Sequence, residues 1–240
     1  MTAPSFAAKK KRKKSAQQEI TCEMPNPVEI NVVPKTKDVK FDFTQTLAKI
    51  QGNQVDTINP YGFHESTQTQ GFMKGAIAIR PSIKLGGEEF RSAQGNGICL
   101  WYEVIQLNIE IDPEIVIAKE VYDDPCMRKA VLDHEMKHVY ADREIVNKYA
   151  SVMGKRVYEA LKQRGFTVGP IPASSQKSVT NRMHETVMQV IKKEQRRMEL
   201  DREDLQGEID SIEEYNRVSA LCEKPATEPK STKKHRRYRR

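Results

Sequence analysis

The chain has 240 residues, of which 38% are hydrophobic and 30% charged, so it can form one domain with a substantial core but not two large ones. Its four cysteines are scattered without a C-x-x-C pair, which argues against a thiolate zinc site and against a dense disulfide framework. The sequence leaves open a bridge between Cys99 and Cys126. No apolar run is long enough to span a bilayer.

The formal net charge of +7 is carried by the two ends of the chain. Residues 9–14 and 233–240 each contribute six positive charges, and subtracting these twelve from +7 leaves −5 for the rest. Such runs are usually disordered and bind anions loosely, so they predict weak contact with nucleic acid or an anionic surface. No apolar segment follows the first run, so we expect no standard secretory signal and a cytoplasmic location for the chain as given.

The composition changes along the chain predict three segments. Residues 1–40 are expected to be a disordered leader that is basic and contains prolines, 41–222 a folded domain, and 223–240 a disordered basic tail. Within the domain, residues 41–50 predict either a strand or one or two helical turns. A polar, turn-rich stretch follows over residues 51–74.

Two strands are predicted before the middle of the chain. Residues 76–79 predict a short strand that ends at Pro81. Over residues 105–111 isoleucine and leucine alternate with polar residues, which predicts a half-buried strand that ends at Pro113. A half-buried strand just before a long helix suits folds in which such a strand lies at the edge of the sheet and pairs with an extended substrate.

Two long helices are predicted in the second half of the chain. Asp124 is an N-cap before proline at the first helical position, so the first helix should run over 125–164. A loop is expected over 165–175, a second helix over 178–206, and a short further segment over 209–222.

The first of these helices carries the motif His134-Glu135-Met136-Lys137-His138, which fits H-E-x-x-H. On a helix the two histidines lie one turn apart and project from the same side, so both imidazoles can bind one Zn²⁺ ion. Glu135 would then lie beside the metal and take a proton from a zinc-bound water. The alternative interpretation is a surface helix on which the motif arose by chance.

A zinc ion held by two histidines needs at least one more protein ligand. Asp142 lies eight residues after His134, about 12 Å along a straight helix, which is too far for the same ion, so we assign it to orienting His138. Spacing alone does not choose among the other candidates, which are His184, Glu185, Glu194 and Asp201.

Residues 95–210 resemble a bacterial family of uncharacterised, predicted secreted zinc-dependent peptidases. In that family a strand leads in from a cysteine, as residues 99–113 do here, and an H-E-x-x-H helix follows. A second helix then ends in Y-D-x-x-T-x-H-G, where this chain has L-D-R-E-D-L-Q-G over residues 200–207. Asp201 and Gly207 match, whereas the tyrosine, threonine and histidine are replaced by Leu200, Asp204 and Gln206.

The resemblance implies an α+β fold, a zincin-like metallopeptidase domain with a small antiparallel sheet and two long helices, flanked by disordered basic tails. It implies a secreted peptidase that acts on proteins or peptides. We expect His134 and His138 to bind zinc with Asp201 as the third ligand, His184 or Glu185 being the alternatives. Glu135 would be the general base of peptide-bond hydrolysis. The rival hypothesis is a non-enzymatic binding or scaffold protein whose basic tails contact nucleic acid or an anionic surface.

Overall fold

A computed structural model describes residues 20–52, 69–92 and 95–222 of the chain. The fold is mixed α and β with small sheets and two long helices, as the sequence predicts. The basic runs at 9–14 and 233–240 lie outside the described residues, and so do most residues of the turn-rich stretch. None of the described helices is long and apolar enough to cross a membrane.

The described elements follow one another in an order that mixes strands and helices. The strands are β1 (Glu29–Thr36), β2 (Lys40–Asp42), β3 (Gly71–Lys74), β4 (Ile77–Ser92), β5 (Gly95–Ile111), β6 (Glu114–Ile117) and β7 (Thr167–Pro172). The helices are α1 (Leu47–Gly52), α2 (Lys119–Tyr122), α3 (Pro125–Arg164), α4 (Gln176–Ile209) and α5 (Ile212–Ala220), with a 3-10 turn at Ala173–Ser175.

The larger sheet is built around β5. Strand β4 pairs antiparallel along one side of it, while β1 (parallel) and β7 (antiparallel) share the other side, one after the other. The predicted alternation appears in β5, where Ile105, Leu107, Ile109 and Ile111 are fully buried. These side chains pack against α3 and α4 in the main hydrophobic core, which also contains Met153. The strand predicted to be an edge is therefore the centre of the sheet.

The smaller sheet has the order β2-β6-β3 and packs against the first half of α3. Strand β2 runs parallel to β6, and β3 antiparallel to it. Each sheet thus contains one parallel pair, and both are mixed rather than purely antiparallel as predicted. The buried strand residue Val116 and the helix residues Val131 and Val139 belong to a second core cluster. Within the described residues no strand pairs with the second edge of β3, and this edge lies beside α3 at the candidate site.

Three local predictions differ from the structure because tertiary pairing decides them. Part of the expected leader forms β1, and part of the expected loop after α3 forms β7, both of them paired with β5. Strand β4 does not end at Pro81, which lies inside it opposite Leu107. Proline lacks a donor N–H and is tolerated in strands on the edge of a sheet, which is where β4 lies.

All four cysteines form disulfides, Cys22 with Cys99 and Cys126 with Cys222. Their Cα–Cα distances of 5.5 and 5.8 Å are in the usual range for a disulfide. The bridge between Cys99 and Cys126 left open by the sequence is not formed. One disulfide ties the segment before β1 to β5, and the other ties the end of α5 to the first turn of α3.

Candidate metal centre

Helix α3 presents the motif residues to one cleft. Its N-cap Asp124 accepts hydrogen bonds from the backbone N–H groups of Cys126 and Met127, at 2.8 and 3.2 Å, and proline follows it at the first helical position. The helix runs without interruption to Arg164. His134 and His138 are therefore one turn apart on the same side, and both are buried.

A third potential ligand reaches the two histidines from the end of α4. Asp210 Oδ1 lies 3.2 Å from Nε2 of His134 and 3.1 Å from Nε2 of His138, and the two Nε2 atoms are 3.4 Å apart. Tetrahedral ligands at about 2.0–2.1 Å from zinc are about 3.3 Å from one another, so this triangle has the size of three tetrahedral positions. The His134–His138–Asp210 group can therefore bind a metal ion.

The Nδ1 atoms of His134 and His138 have hydrogen-bond partners that favour the tautomer able to bind a metal through Nε2. His134 Nδ1 lies 3.3 Å from Glu214 Oε1, and His138 Nδ1 contacts Gln206 Oε1. Both partners are acceptors, so in the neutral form of either ring the hydrogen belongs on Nδ1 and the lone pair of Nε2 is directed towards Asp210. Two lone pairs and a carboxylate oxygen repel one another unless a cation lies between them, so the donor set fits a metal ion.

The alternative to a metal is an added proton on one ring. Burial lowers the pKa of His138, but the hydrogen bond and charge of Asp210, the charge of Glu135 and the hydrogen bond to Gln206 together raise it above its usual value. Either a metal ion at the centre or a protonated imidazole would balance the negative charge of Asp210. Direct metal measurement distinguishes between them.

Gln206 connects the centre to a buried ion pair. Its Nε2 donates to Asp142 Oδ1 at 2.7 Å and to the backbone oxygen of His138 at 3.2 Å, so its amide oxygen points to the imidazole. Asp142 is fully buried and also accepts hydrogen bonds from Arg202 at 2.6 and 3.0 Å. The path from Asp142 to His138 therefore runs through Gln206.

Glu135 lies at the floor of the cleft and is 4% exposed. Burial raises the pKa of its carboxyl to about 7, although the neighbouring histidines and a hydrogen bond from the backbone N–H of Met73 act in the opposite direction. A carboxylate with a pKa near neutrality can both accept and return a proton close to neutral pH.

The cleft lies between β3, α3 and the segment from α4 to α5. Its lining residues are Thr69, Gln70, Gly71, Phe72, Met73, Val131, His134, Glu135, His138, Arg202, Glu203, Gln206, Asp210, Tyr215, Asn216, Val218 and Ser219. The Gln70 carbonyl accepts from Ala118 on the β6 side, whereas the Met73 N–H reaches Glu135 on the opposite side. Because the direction alternates along a strand, Gly71 and Met73 both turn their main-chain groups away from β6.

The residues expected to supply the third ligand lie elsewhere. Asp201 pairs with Lys148 Nζ at 2.6 Å and accepts from Tyr149 Oη at 3.0 Å, at a point further along α3. His184 precedes Gln206 by 22 residues, which is about 33 Å along a straight helix.

The remaining candidates on α4 are also outside the group. Glu185 is exposed beside His184, and the buried Glu194 accepts from Arg197 at 2.9 Å. Asp210, not Asp201, is the acid that completes the group of possible metal ligands.

The sequence pattern indicated neither Asp210 nor Glu214, and it indicated Gln206 only as the residue that replaces the family's histidine. Asp210 is missed by a search along helical faces because it is the C-cap residue of α4. A usable signal lies directly after it. Ser211-Ile212-Glu213-Glu214 has the S-x-x-E spacing of a helix start, and the Ser211 side chain does accept from the Glu214 backbone N–H. A helix start at Ser211 implies a sharp turn at Asp210.

Comparison with protein-family models, curated proteins and solved structures finds no match for this chain. The interpretation of the site therefore rests on its own geometry.

Proposed function

We propose that the protein is a zinc-dependent peptidase of zincin type, with His134, His138 and Asp210 as ligands and Glu135 as general base. The observation that carries the proposal is a buried carboxylate beside a group of three possible ligands, in a cleft bordered by an edge of β3 that pairs with no other described strand. Simple metal storage would not require a buried carboxylate beside the ligands.

The ligand chemistry supports zinc over the hard cations. Two imidazole nitrogens and one carboxylate oxygen are typical of catalytic zinc sites, whereas Mg²⁺ and Ca²⁺ prefer oxygen ligands alone. Asp210 remains 23% exposed towards the cleft, which leaves a side open to water or substrate. When bound there, zinc would lower the pKa of a water molecule and polarise a carbonyl group.

The chain's own residues would divide the remaining work. Glu135 would take a proton from the attacking water and return it to the leaving amine, because its carboxylate lies in the cleft beside the three possible ligands. Glu214 and Gln206 would hold the two imidazoles in the ligating tautomer. Tyr215 lines the cleft beside His134, and burial raises the pKa of its phenol, which favours the protonated form there.

A peptide is the substrate class favoured by the strand edge. The outward carbonyl and amide groups of β3 at Gly71, and the carbonyl of Met73, would pair with an extended backbone laid across the cleft. One arm of the cleft is bordered by Val131 and Val218 and would take an aliphatic side chain. The other arm contains Arg202 and Glu203 and is polar.

The two disulfides support an oxidising compartment as the place of action, in contrast to the cytoplasmic location expected from the sequence as given. Disulfides persist in secreted and periplasmic proteins and are rare where thiols are kept reduced.

The test is hydrolysis of a mixed library of unstructured peptides by the zinc-loaded protein, with products identified by mass spectrometry. We expect Glu135→Gln to keep its zinc and to hydrolyse peptides about 10²- to 10⁴-fold more slowly than the native protein. Glu203→Gln is the matched control, because Glu203 lines the same cleft but is exposed. Equal rates in the native protein and Glu135→Gln would remove Glu135 from the mechanism, and no cleavage by the zinc-loaded native protein would contradict the proposal.

A further inference from the structure

Helix α5 contributes to the metal centre but is weakly held by packing. It supplies Glu214, next to His134 Nδ1, and Tyr215, whose ring centroid lies 6.1 Å from that of His134. None of the residues of α5 is buried. Glu214 is one of its half-buried side chains and also accepts a hydrogen bond from Lys137 Nζ at 2.6 Å.

A covalent bond holds the far end of this helix. Residues 211–222, here called the α5 strap, leave the metal centre at Asp210 and return to the start of α3, where Cys222 is bonded to Cys126. By contrast, α4 is anchored independently by the Arg202–Asp142 ion pair and by buried side chains such as Met198. Breaking the disulfide would therefore free the strap and leave α4 in place.

The two disulfides differ in how easily a thiol reaches them. Cys22 and Cys222 are both half-buried, but Cys126 is exposed whereas Cys99 is 6% exposed. Thiol–disulfide exchange requires access to a sulfur, so the Cys126–Cys222 bond is the more accessible target.

We propose that the Cys126–Cys222 disulfide is a redox-sensitive fastening of the α5 strap that sets the metal affinity of the His134–His138–Asp210 centre. The inference rests on metal binding at this centre and does not require peptidase activity. Removing the hydrogen-bond acceptor at the ring nitrogen that does not bind the metal typically weakens metal binding by a ligating histidine about 10- to 100-fold. Freeing the strap withdraws Glu214 from His134, so reduction weakens metal binding by that factor.

The chemical step is a two-electron reduction by a small thiol. A thiolate attacks Cys126 Sγ and forms a mixed disulfide, while the bond to Cys222 breaks and Cys222 leaves as a thiolate that takes up a proton. A second thiolate then attacks the small-molecule sulfur of the mixed disulfide, and Cys126 leaves as a thiolate that takes up a proton. The two small thiols end as one disulfide. The consequence is a centre that binds metal tightly only in an oxidising compartment.

The experiment measures the Kd for Zn²⁺ of the full chain by competition with a chelator, and the Co²⁺ absorption spectrum as a report on ligand geometry. The variant Cys126→Ser/Cys222→Ser is compared with Cys22→Ser/Cys99→Ser, which removes the other disulfide. We expect the first variant to bind Zn²⁺ about 10- to 100-fold more weakly, with a changed Co²⁺ spectrum, and the second to keep the native Kd. Native protein treated with a thiol under mild conditions, with the reduced bond identified by mass spectrometry, gives the same comparison without a substitution.

A double-mutant cycle separates the strap from general loosening. Glu214→Ala should weaken Zn²⁺ binding about as much as loss of the disulfide, and the triple variant should be no weaker than either, because both changes remove the same contact. Additive losses, an unchanged Kd after reduction of Cys126–Cys222, or an equal loss in both disulfide variants would each overturn the proposal. Absence of Zn²⁺ binding by the oxidised native chain would overturn it by removing the metal centre itself.

Discussion

Replacing Asp210 with asparagine tests which acid is the third ligand. The substitution keeps the side-chain shape but removes the charge from the oxygen that lies 3.1 and 3.2 Å from the two Nε2 atoms. Loss of an outer partner of a ligand typically costs about 10- to 100-fold in metal affinity, so loss of a charged direct ligand should cost at least about 100-fold, or about 2.8 kcal/mol. We therefore expect the Kd for Zn²⁺ to rise by that factor or more.

The assay is chelator competition at fixed pH and ionic strength, with Asp201→Asn as the matched control. Asp201 was the acid expected from the sequence, and its ion pair with Lys148 is solvent-exposed, so its neutralisation should leave the Kd within about twofold. Circular dichroism and thermal melting of the metal-free variants show that the fold is retained. A native Kd for Asp210→Asn, or a large loss for Asp201→Asn, would refute the assignment of the ligand.

Three further changes test other parts of the account. Asp142→Asn removes the charge that pairs with Arg202, so the free energy of unfolding measured by denaturant titration should fall by about 3 kcal/mol. Zn²⁺ binding should also weaken, because Asp142 positions Gln206 beside His138. An unchanged denaturation midpoint would contradict this. Gly71→Ala would place a Cβ 2.9 Å from the backbone oxygen of Val116, so melting should show a loss of about 1–3 kcal/mol. Deleting residues 1–19 and 224–240 should leave peptide hydrolysis intact and remove salt-dependent binding to a DNA duplex. Hydrolysis lost with the tails would contradict this expectation, whereas tail-dependent DNA binding without any hydrolysis by the full chain would favour the rival hypothesis of a binding protein.

The parts that the sequence predicts well are those decided by local chemistry. The cap at Asp124, the proline after it and the periodic apolar residues determine α3, and helix geometry then brings His134 and His138 to one side. The alternation of residues in the second half of β5 likewise follows from the burial of one face.

The parts that the sequence predicts poorly depend on contacts between distant segments. Asp210 lies 72 residues beyond His138 and reaches it only because α4 runs back along α3 and ends beside the motif. Contacts with neighbouring strands also decide the pairing of β1 and β7 with β5 and the position of Pro81 inside an edge strand. Local sequence propensity does not describe such contacts. Asp201 matches a family motif, yet it lies about 7.5 Å back along α4 from Gln206 and pairs with Lys148 instead.

The most direct test of the account is the metal content of protein purified without a histidine tag, measured by mass spectrometry beside the variant His134→Ala/His138→Ala. We expect about one zinc ion per native chain and a loss of zinc in this variant, with Asp210→Asn also depleted of zinc. A native chain that stays free of zinc after incubation with the metal, while its disulfides are intact, would contradict the central claim and leave the histidines and Asp210 as a proton-sharing cluster.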